Sequence, residues 1–390
     1  MSKALVVGGN SGIGLSIVQD LIGRGYEHIY IAGKDEPDYG AIQELSTEKF
    51  KAHTSFVRVN FVNEDYSFLD ETQDIDTLVI TAGFGRVAPF EELEGAEITN
   101  LVKCNMLSAM RIIKHYYPLI KSEKPFYCAV MGSIAGHVAS PLFSVYGATK
   151  FGLCSFIENL NVELQHDGFA NRILDVSPGS LKGTGFNGGK NDLSQVCQVT
   201  EQILENMYAR QTLYIPQYDE IYANVLKRYH NDPMQYGCES YDYKIKNGRV
   251  STKPQLVIGY LSGTFDLFHV GHLNLLMRAK QQCDYLIVGV HKSGAWKGKE
   301  TYIPFEERTR IVGSIQYVDK VIESFPEDAD AWDVLHYHKL FVGSDYKGTE
   351  RFNRYEAYFA DKDVEIVYFP YTQGTSSTQL RDAIATGKKG

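Results

Sequence analysis

The chain has 390 residues, of which 44% are hydrophobic, and a formal net charge of −9 at pH 7. This length exceeds what one hydrophobic core usually supports, so we expect two domains, and the acidic balance disfavours nucleic acids and anionic membranes, which bind basic surfaces. The six cysteines include no C-x-x-C pair, which predicts reduced thiols. The first strand leaves no room for a signal peptide, and no apolar run is long enough to span a membrane. Together these features predict a cytoplasmic protein.

The first predicted element is an apolar strand at residues 4–7, followed by a glycine-rich turn and a helical pattern. Glycines at this position let backbone N–H groups and the helix N-terminus approach a pyrophosphate, which predicts a dinucleotide site. The spacing is G-x-x-x-G-x-G rather than G-x-G-x-x-G, and similar turns also occur as plain connections, so the motif needs a second signal. Its candidate contacts are Gly8, Asn10, Ser11, Gly12, Ile13 and Gly14.

Further strand-like runs alternate with helical stretches as far as residue 179. This alternation predicts a doubly wound α/β sheet of parallel strands, the Rossmann architecture. The runs are HIYIAG, SFVRVNF, DTLVITAG, FYCAVMGS and RILDVSPG.

The HIYIAG run indicates the choice of cofactor. It ends in Gly33, followed by Lys34, where an NAD-binding protein would carry an acidic residue for the ribose hydroxyls. A small residue and a cation leave room and charge for a 2′-phosphate, which favours NADPH. The alternative is that Lys34 is an ordinary solvated charge.

Three residues with complementary chemistry follow the FYCAVMGS run. Ser133 ends that strand, and Tyr146 and Lys150 share one face of the next predicted helix, four positions apart. A lysine ammonium beside a phenol stabilises the phenolate, so we expect Lys150 to lower the pKa of Tyr146. Tyr146 then becomes a proton donor to a carbonyl oxygen, with Ser133 bound to the same oxygen.

Together with the glycine turn, these residues resemble the short-chain dehydrogenase/reductase family over roughly residues 1–230. The resemblance implies a carbonyl reductase in which Asn105 holds a proton-relay water, and a substrate-covering loop after residue 179. It implies further cofactor contacts at Asn60, Ala82, Gly83, Tyr146, Lys150, Pro178 and Gly179. The chain departs from the family at Thr81, where an Asn is usual, and at Asn60, where an Asp is usual.

The predicted helices at 195–231 are followed by a segment without periodicity, 232–254. We therefore predict a first domain at 1–231, a linker at 232–254 and a second domain at 255–390. The second domain starts a new α/β unit with a strand, a tight turn and a helix.

The turn of the second unit carries the string G-T-F-D-L-F-H-V-G-H. His269 and His272 flank Gly271 at the start of the helix, so two imidazoles and the helix N-terminus can face one phosphate chain. Two histidines three positions apart without a Cys or Asp partner lack the ligands of a zinc site, and we expect no metal there.

This string resembles the nucleotidyltransferase family that contains glycerol-3-phosphate cytidylyltransferase, over roughly residues 255–385. The resemblance implies that His269, His272 and Lys297 are catalytic, and that CTP reacts as its Mg²⁺ complex. The implied nucleotide contacts are Gly263, Thr264, Phe265, Asp266, His269, His272, Lys299, Arg308, Asp345, Thr375, Ser376, Ser377 and Thr378. Tyr371 and Gln316 replace family arginines, which leaves ATP open as the nucleotide.

The two sites together predict a bifunctional enzyme that makes a CDP-polyol. The expected route runs from ribulose 5-phosphate through ribitol 5-phosphate to CDP-ribitol, and a glycerol route is second; such products serve capsule or teichoic-acid polymers. We expect small-molecule substrates and a homo-oligomer, a dimer or tetramer. Two alternatives remain: an adenylyltransferase whose nucleotide product is then reduced, and a reductase with a nucleotide-sensing second domain.

Overall fold

The computed structural model describes residues 2–42, 45–187, 190–251, 256–293, 300–370 and 379–381, with the backbone alone at 187. The chain divides into two compact units, 1–255 and 256–390. Each is an α/β unit built on a parallel sheet, which confirms the predicted fold class. Among the described residues, no helix is long and apolar enough to cross a membrane.

In its described part, the first unit contains a seven-stranded sheet in the order β3-β2-β1-β4-β5-β6-β7. Every neighbouring pair is parallel. The predicted strands all form, and β7 was not predicted. The strands are β1 (Lys3–Val7), β2 (His28–Gly33), β3 (Thr54–Arg58), β4 (Thr77–Ile80), β5 (Tyr127–Met131), β6 (Ile173–Val176) and β7 (Leu213–Tyr214).

Helices cover both faces of this sheet, because the inner strands are apolar on both sides. Ala4 and Val6 of β1 join one core cluster, and Leu5 and Val7 join the other. The helices are α1 (Gly12–Gly23), α2 (Thr47–His53), α3 (Gly95–Val102), α4 (Ser108–Ile120), α5 (Ser144–His166), α6 (Cys197–Tyr208), α7 (Ala223–Asn231) and α8 (Pro233–Lys246).

Helix α8 corrects the predicted linker at 232–254. The Asp232 side chain accepts a hydrogen bond from the Gln235 backbone N–H, and Pro233 occupies the first turn, so these two residues begin a helix. The helix belongs to the first unit, where the Lys244 ammonium donates to the Ser140 hydroxyl at 2.8 Å. The sequence signal for this helix was its N-cap, since apolar periodicity is weak on a helix with few buried positions.

In its described part, the second unit contains a five-stranded parallel sheet in the order β10-β9-β8-β11-β12. Tyr260 and Leu261 of β8 point into different core clusters, so helices again pack on both faces. The elements are β8 (Ile258–Gly263), α9 (Val270–Lys280), β9 (Tyr285–Val290), α10 (Phe305–Gly313), β10 (Lys320–Glu323), α11 (Asp328–Leu335), β11 (Lys339–Gly343), α12 (Glu350–Phe359) and β12 (Glu365–Phe369).

The strand order of each sheet reverses at one strand, β1 in the first unit and β8 in the second. Ligands of open parallel sheets bind at the carboxyl ends of strands beside such a reversal, where the connections run to opposite faces. The glycine-rich turn follows β1, and the turn with the two histidines follows β8.

Candidate active sites

The glycine-rich turn after β1 is packed so closely that Gly8 and Gly14 have no room for a side chain. Gly8 has a φ of +83°, and a Cβ there would lie 2.6 Å from the Ala82 backbone nitrogen. A Cβ at Gly14 would lie 2.2 Å from the Gly8 carbonyl oxygen. Ser11 is the N-cap of α1 without a side-chain capping bond among the described residues. The turn thus presents the helix N-terminus at the reversal point, as dinucleotide binding requires.

The second part of the predicted cofactor site lies at the ends of β2 and β3. A Cβ at Gly33 would lie 2.6 Å from Asn10 Oδ1, so the missing side chain makes room for Asn10. Arg58 pairs with Gly33 across the two strands, and its Nη1 donates to the Lys34 carbonyl at 2.7 Å. Arg58 was missed in the sequence; the available signal was a cation ending the strand beside the cofactor strand. The Arg58 guanidinium therefore lies beside Lys34, where a 2′-phosphate was expected, and its Nη2 is 4.0 Å from a Glu36 carboxylate oxygen.

Other predicted cofactor residues have local structural roles. Asn60 Oδ1 accepts the Val62 backbone N–H at 3.2 Å and so caps a short turn after β3. Ala82 follows β4, and its N–H bonds to the Val7 carbonyl at 3.1 Å, which holds it against the glycine turn. Pro178 lies beyond β6, where its carbonyl accepts the Ile134 N–H at 2.9 Å.

Two of the predicted catalytic residues, Asn105 and Lys150, lie against Gly83. A Cβ at Gly83 would lie 3.3 Å from Asn105 Oδ1 and 3.5 Å from the Lys150 ammonium. Asn105 lies in a π-helical turn, Lys103–Leu107, and binds both backbone groups of Phe84, accepting its N–H at 3.0 Å and donating to its carbonyl at 2.8 Å. π-Turns often occur at functional sites, and here the extra residue turns Asn105 inward.

The electrostatics of Tyr146 differ from the prediction. Burial raises the pKa of Tyr146 to about 12, against the opposing effect of a hydrogen bond with Ser133. Burial also lowers the pKa of Lys150 to about 8. The Lys150 ammonium donates to the Met131 carbonyl at 2.7 Å and lies 5.7 Å from the centre of the Tyr146 ring. The pKa of Tyr146 is therefore raised, opposite to the predicted lowering, because desolvation outweighs the hydrogen bond with Ser133.

Aromatic rings cover Tyr146. Phe143 stacks on it with ring centres 4.1 Å apart, and Phe186, in the predicted covering loop, lies edge-on at 5.5 Å. A Cβ at Gly85 would lie 2.6 Å from the Tyr146 ring, so the chain can pass only as glycine. The Tyr146 ring is consequently buried among aromatic groups.

The segment before and within α8 adds two residues that sequence reasoning missed. Tyr222 packs against Gly179, where an added Cβ would overlap the phenol oxygen at 1.5 Å. Lys244 is buried and lies 5.9 Å from the centre of the Phe143 ring. Neither position follows a recognisable motif, because each is brought to the site by packing of the helices after β7.

In the second unit, the two histidines form a stacked pair at the start of α9. Their ring centres are 4.1 Å apart with 29° between the planes. His269 Nδ1 accepts the Gly271 N–H at 3.0 Å, and His272 Nδ1 accepts the His269 N–H at 3.4 Å. Because each Nδ1 is an acceptor, each neutral ring carries its proton on Nε2, the tautomer that can donate to a phosphate oxygen.

Burial keeps both histidines neutral. It lowers the pKa of His269, and it lowers the pKa of His272 to about 4 with a further contribution from His269. Both rings are therefore hydrogen-bond donors rather than cations at neutral pH. A bound triphosphate would favour the protonated form of either ring, since a nearby negative charge raises the pKa of a base.

Three predicted nucleotide contacts form the framework of the turn. Phe265 is buried, and its ring would be 2.9 Å from a Cβ at Gly263. Asp266 accepts the Ile303 N–H at 2.9 Å and an Arg381 Nη2 hydrogen at 2.7 Å. Arg308 is fully buried and donates to backbone carbonyls. Its acceptors are Thr264, His291, Lys292 and Ile303. Arg308 thus fixes the turn from inside.

Asp345 lies in a short turn after β11, the strand beside β8, with Oδ1 2.5 Å from where a Gly343 Cβ would be. It is therefore at the same sheet edge as the histidines. Other predicted residues lie outside the described residues, and their roles remain predictions. These are Lys297, Lys299, Tyr371, Thr375, Ser376, Ser377 and Thr378.

Comparisons with known proteins find one family match in each unit. A family model for short chain dehydrogenases matches residues 2–194, and a cytidylyltransferase-like model matches residues 260–383. Glycerol-3-phosphate cytidylyltransferase of Bacillus subtilis is 39% identical over 127 residues, which are 32% of this chain and 93% of that protein. Retinol dehydrogenase 8 of Bos taurus is 30% identical over 152 residues, which are 39% of this chain and 48% of that protein.

Among solved structures, a short-chain dehydrogenase from Sphingobium yanoikuyae in complex with NADPH has a TM-score of 0.48 and 18% identity, covering 60% of this chain and 96% of that one. The sequence relatives carry the assignment. The chain is an enzyme whose first unit is a short-chain dehydrogenase domain and whose second unit places it in the glycerol-3-phosphate cytidylyltransferase family.

Proposed function

We propose that the chain reduces a ketose phosphate with NADPH and then transfers the cytidylyl group of CTP to the resulting polyol phosphate. The observation that carries this proposal is that residues suited to each of the two steps lie at the reversal point of one sheet. Asn105 and Lys150 lie against Gly83 in the first unit, and the histidine pair follows β8 in the second. The product of the first step is then the acceptor of the second.

In the reduction, bound NADPH supplies a hydride to the carbonyl carbon. Tyr146 donates its phenolic proton to the carbonyl oxygen, which becomes the new hydroxyl, and Ser133 donates a hydrogen bond to that oxygen. Lys150 holds a positive charge that stabilises the phenolate left behind. Asn105 fixes the Phe84 backbone and carries the proton back to the site through bound water, as the family resemblance implies.

In the transfer, a phosphate oxygen of the acceptor attacks the α-phosphorus of CTP, the bond to the bridging oxygen breaks, and pyrophosphate leaves. The Nε2–H groups of His269 and His272 donate to the phosphate oxygens on which charge develops. We propose that Lys297 and Lys299 add positive charge. Mg²⁺ is proposed to enter with the triphosphate, where it would neutralise charge on the phosphate oxygens.

The leading route converts ribulose 5-phosphate to ribitol 5-phosphate and then to CDP-ribitol. A glycerol route is second, because the Bacillus subtilis relative is named for glycerol 3-phosphate. The replacement of two family arginines by Gln316 and Tyr371 favours an acceptor other than glycerol 3-phosphate. Products of this class would supply capsule or teichoic-acid polymers.

A screen by mass spectrometry tests the whole proposal. The full chain is incubated with NADPH, CTP and Mg²⁺ and with ketose phosphates of three to six carbons, one at a time. We expect a product that is both reduced and linked to CMP. If adenylylated products form with ATP, ATP replaces CTP in the proposal. Reduction without any nucleotidyl transfer would instead support a nucleotide-sensing second unit.

The preference for NADPH is tested at Lys34 and Arg58. Replacing both with Gln should raise the KM for NADPH about tenfold or more and leave the KM for NADH nearly unchanged, since charge-assisted contacts to the 2′-phosphate are lost. Lys124→Gln, at the opposite end of the sheet, is the matched control. A parent enzyme that prefers NADH would contradict the assignment. These variants test the cofactor preference without disturbing the packing, whereas the Cβ of Gly33→Asp would collide with Asn10.

Reduction is expected to weaken above about pH 8, the value to which burial lowers the pKa of Lys150. The lysine is charged below its pKa and neutral above it, whereas Tyr146, with a pKa of about 12, stays protonated throughout. The measurement is kcat/KM for reduction across the alkaline range, with NADPH binding as the control for folding. A flat profile up to about pH 10, where an ordinary lysine titrates, would contradict the buried ammonium.

A further inference from the structure

A buried polar cluster joins β6 to the segment that carries Ser133. Asp175 lies in β6, Ser177 follows it, His137 follows the Ser133 turn and Cys154 lies on α5. The Ser177 hydroxyl is 2.8 Å from Asp175 Oδ1, 3.0 Å from His137 Nε2, 3.2 Å from the Ser133 backbone nitrogen and 3.6 Å from Cys154 Sγ. None of these four side chains was predicted from the sequence to act in the site.

The hydrogen bonds of Ser177 can be assigned by counting. A hydroxyl has one proton and two lone pairs. The proton goes to Asp175, which can only accept when ionised, and the lone pairs accept the Ser133 N–H and the His137 Nε2–H. The His137 ring also lies 3.6 Å from Asp175 Oδ2. The hydroxyl is saturated, and it fixes the backbone of the catalytic serine.

The cluster also lies against the backbone that binds the catalytic lysine. Gly132 separates Met131, whose carbonyl binds Lys150, from Ser133, and a Cβ there would lie 2.2 Å from Asp175 Oδ1. A side chain at this position would push the carboxylate away. The close approach of β6 to this segment therefore requires glycine at position 132. It places the Asp175 carboxylate next to the residues on either side, Met131, which binds Lys150, and Ser133.

The charge of Asp175 acts on Lys150. The groups that favour the charged form of this buried lysine are Cys154 on its own helix, Cys104 on the π-turn and Asp175 on β6, in order of decreasing effect. Burial raises the pKa of Cys154 to about 12, so that thiol is neutral. Asp175 is the carboxylate of the set, and it offsets part of the cost of holding an ammonium out of water.

We propose that Ser177 and Asp175 are positioning residues of the reductase, Ser177 by fixing the Ser133 backbone and Asp175 as the buried counter-charge of Lys150. This inference rests on the proposed reduction. Neither side chain is assigned a contact with the substrate. The two roles differ in kind, because one depends on geometry and the other on charge, so separate variants distinguish them.

Asp175→Asn keeps the size of the side chain and removes the charge. Lys150 should then lose its proton at a lower pH, because an opposite charge nearby favours the charged form of a base. The pH titration of the Lys150 Cε resonance, in full-length protein labelled with carbon-13 lysine and assigned with Lys150→Met, measures this without any substrate and without access of a reagent to the buried amine. The alkaline limb of kcat/KM should move to lower pH by the same amount. Asp167→Asn, which removes an exposed carboxylate at the other end of α5, is the control.

Ser177→Ala keeps the charge of Asp175 and removes the hydroxyl that binds Asp175, His137 and the Ser133 backbone. We expect kcat for reduction to fall about ten- to hundredfold, the scale of a displaced catalytic group. The pH at which kcat/KM declines in the alkaline range should not change. If Asp175→Asn does not fold, Asp175→Ser serves as the second neutral variant. NADPH binding and the melting temperature report folding.

Unchanged Lys150 titration in the neutral variants would overturn the role of Asp175, and an unchanged kcat in Ser177→Ala would overturn that of Ser177. His137, Cys154 and Asp175 lie within 4.8 Å of one another. Purified protein that holds one zinc ion per chain, lost in Asp175→Asn, would therefore also overturn the proposal. A parent chain that reduces no carbonyl compound would refute the proposed function while the lysine titration remained interpretable.

Discussion

Tyr146→Phe is expected to abolish carbonyl reduction while nucleotidyl transfer to a supplied polyol phosphate continues near the parental rate. The variant removes the phenolic proton and keeps the ring that packs between Phe143 and Phe186. General acid catalysis contributes about 10²- to 10⁴-fold to a reaction rate, so the rate of reduction should fall by at least that factor. The two activities separate because the two units have their own hydrophobic cores.

The measurement is NADPH oxidation with the carbonyl substrate, alongside pyrophosphate release with CTP and the polyol phosphate. Tyr117→Phe is the matched control, because its hydroxyl has no hydrogen-bond partner among the described residues. Unimpaired reduction in Tyr146→Phe would remove Tyr146 as the acid. Loss of both activities with an unchanged melting temperature would show that the two steps are coupled in a way that separate cores do not predict.

Replacing His272 or His269 with Ala is expected to lower nucleotidyl transfer by about two orders of magnitude or more, the effect of removing one preorganised donor to a transition state. Both rings are held with Nδ1 as an acceptor, so both Nε2–H groups are set to donate before the substrate binds. Preorganisation of this kind stabilises the developing charge without reorienting groups during the reaction. Reduction by the first unit should persist.

His269 also caps α9, so its replacement by Ala removes a cap worth about 1 kcal/mol. His269→Asn restores the acceptor and should recover stability but not activity. His336→Asn is the control for a histidine outside the turn, at a left-handed position that Asn tolerates. Pyrophosphate release at the parental rate in both His272→Ala and His269→Asn would make the pair structural.

Much of each site was predictable because its residues are neighbours in sequence. The glycine turn after β1, the spacing of Tyr146 and Lys150 on α5 and the two histidines at the start of α9 are set by local backbone geometry. A strand, a turn and a helix place such residues in fixed relation wherever the unit is embedded. The number of units and the parallel strands followed from the alternation of apolar runs.

The residues that the sequence did not reveal are those positioned by distant segments. Arg58 reaches the cofactor end through strand register, and Tyr222 reaches Gly179 through helix packing. The pKa values of Tyr146 and His272 also depend on burial, which no short motif encodes. The sequence by itself determined the two predicted reactions, carbonyl reduction and nucleotidyl transfer, and the residues of each site that are neighbours in the chain. The tertiary structure decided charge state, supporting contacts and the cluster at Asp175, because desolvation and long-range packing arise only when separate strands and helices meet.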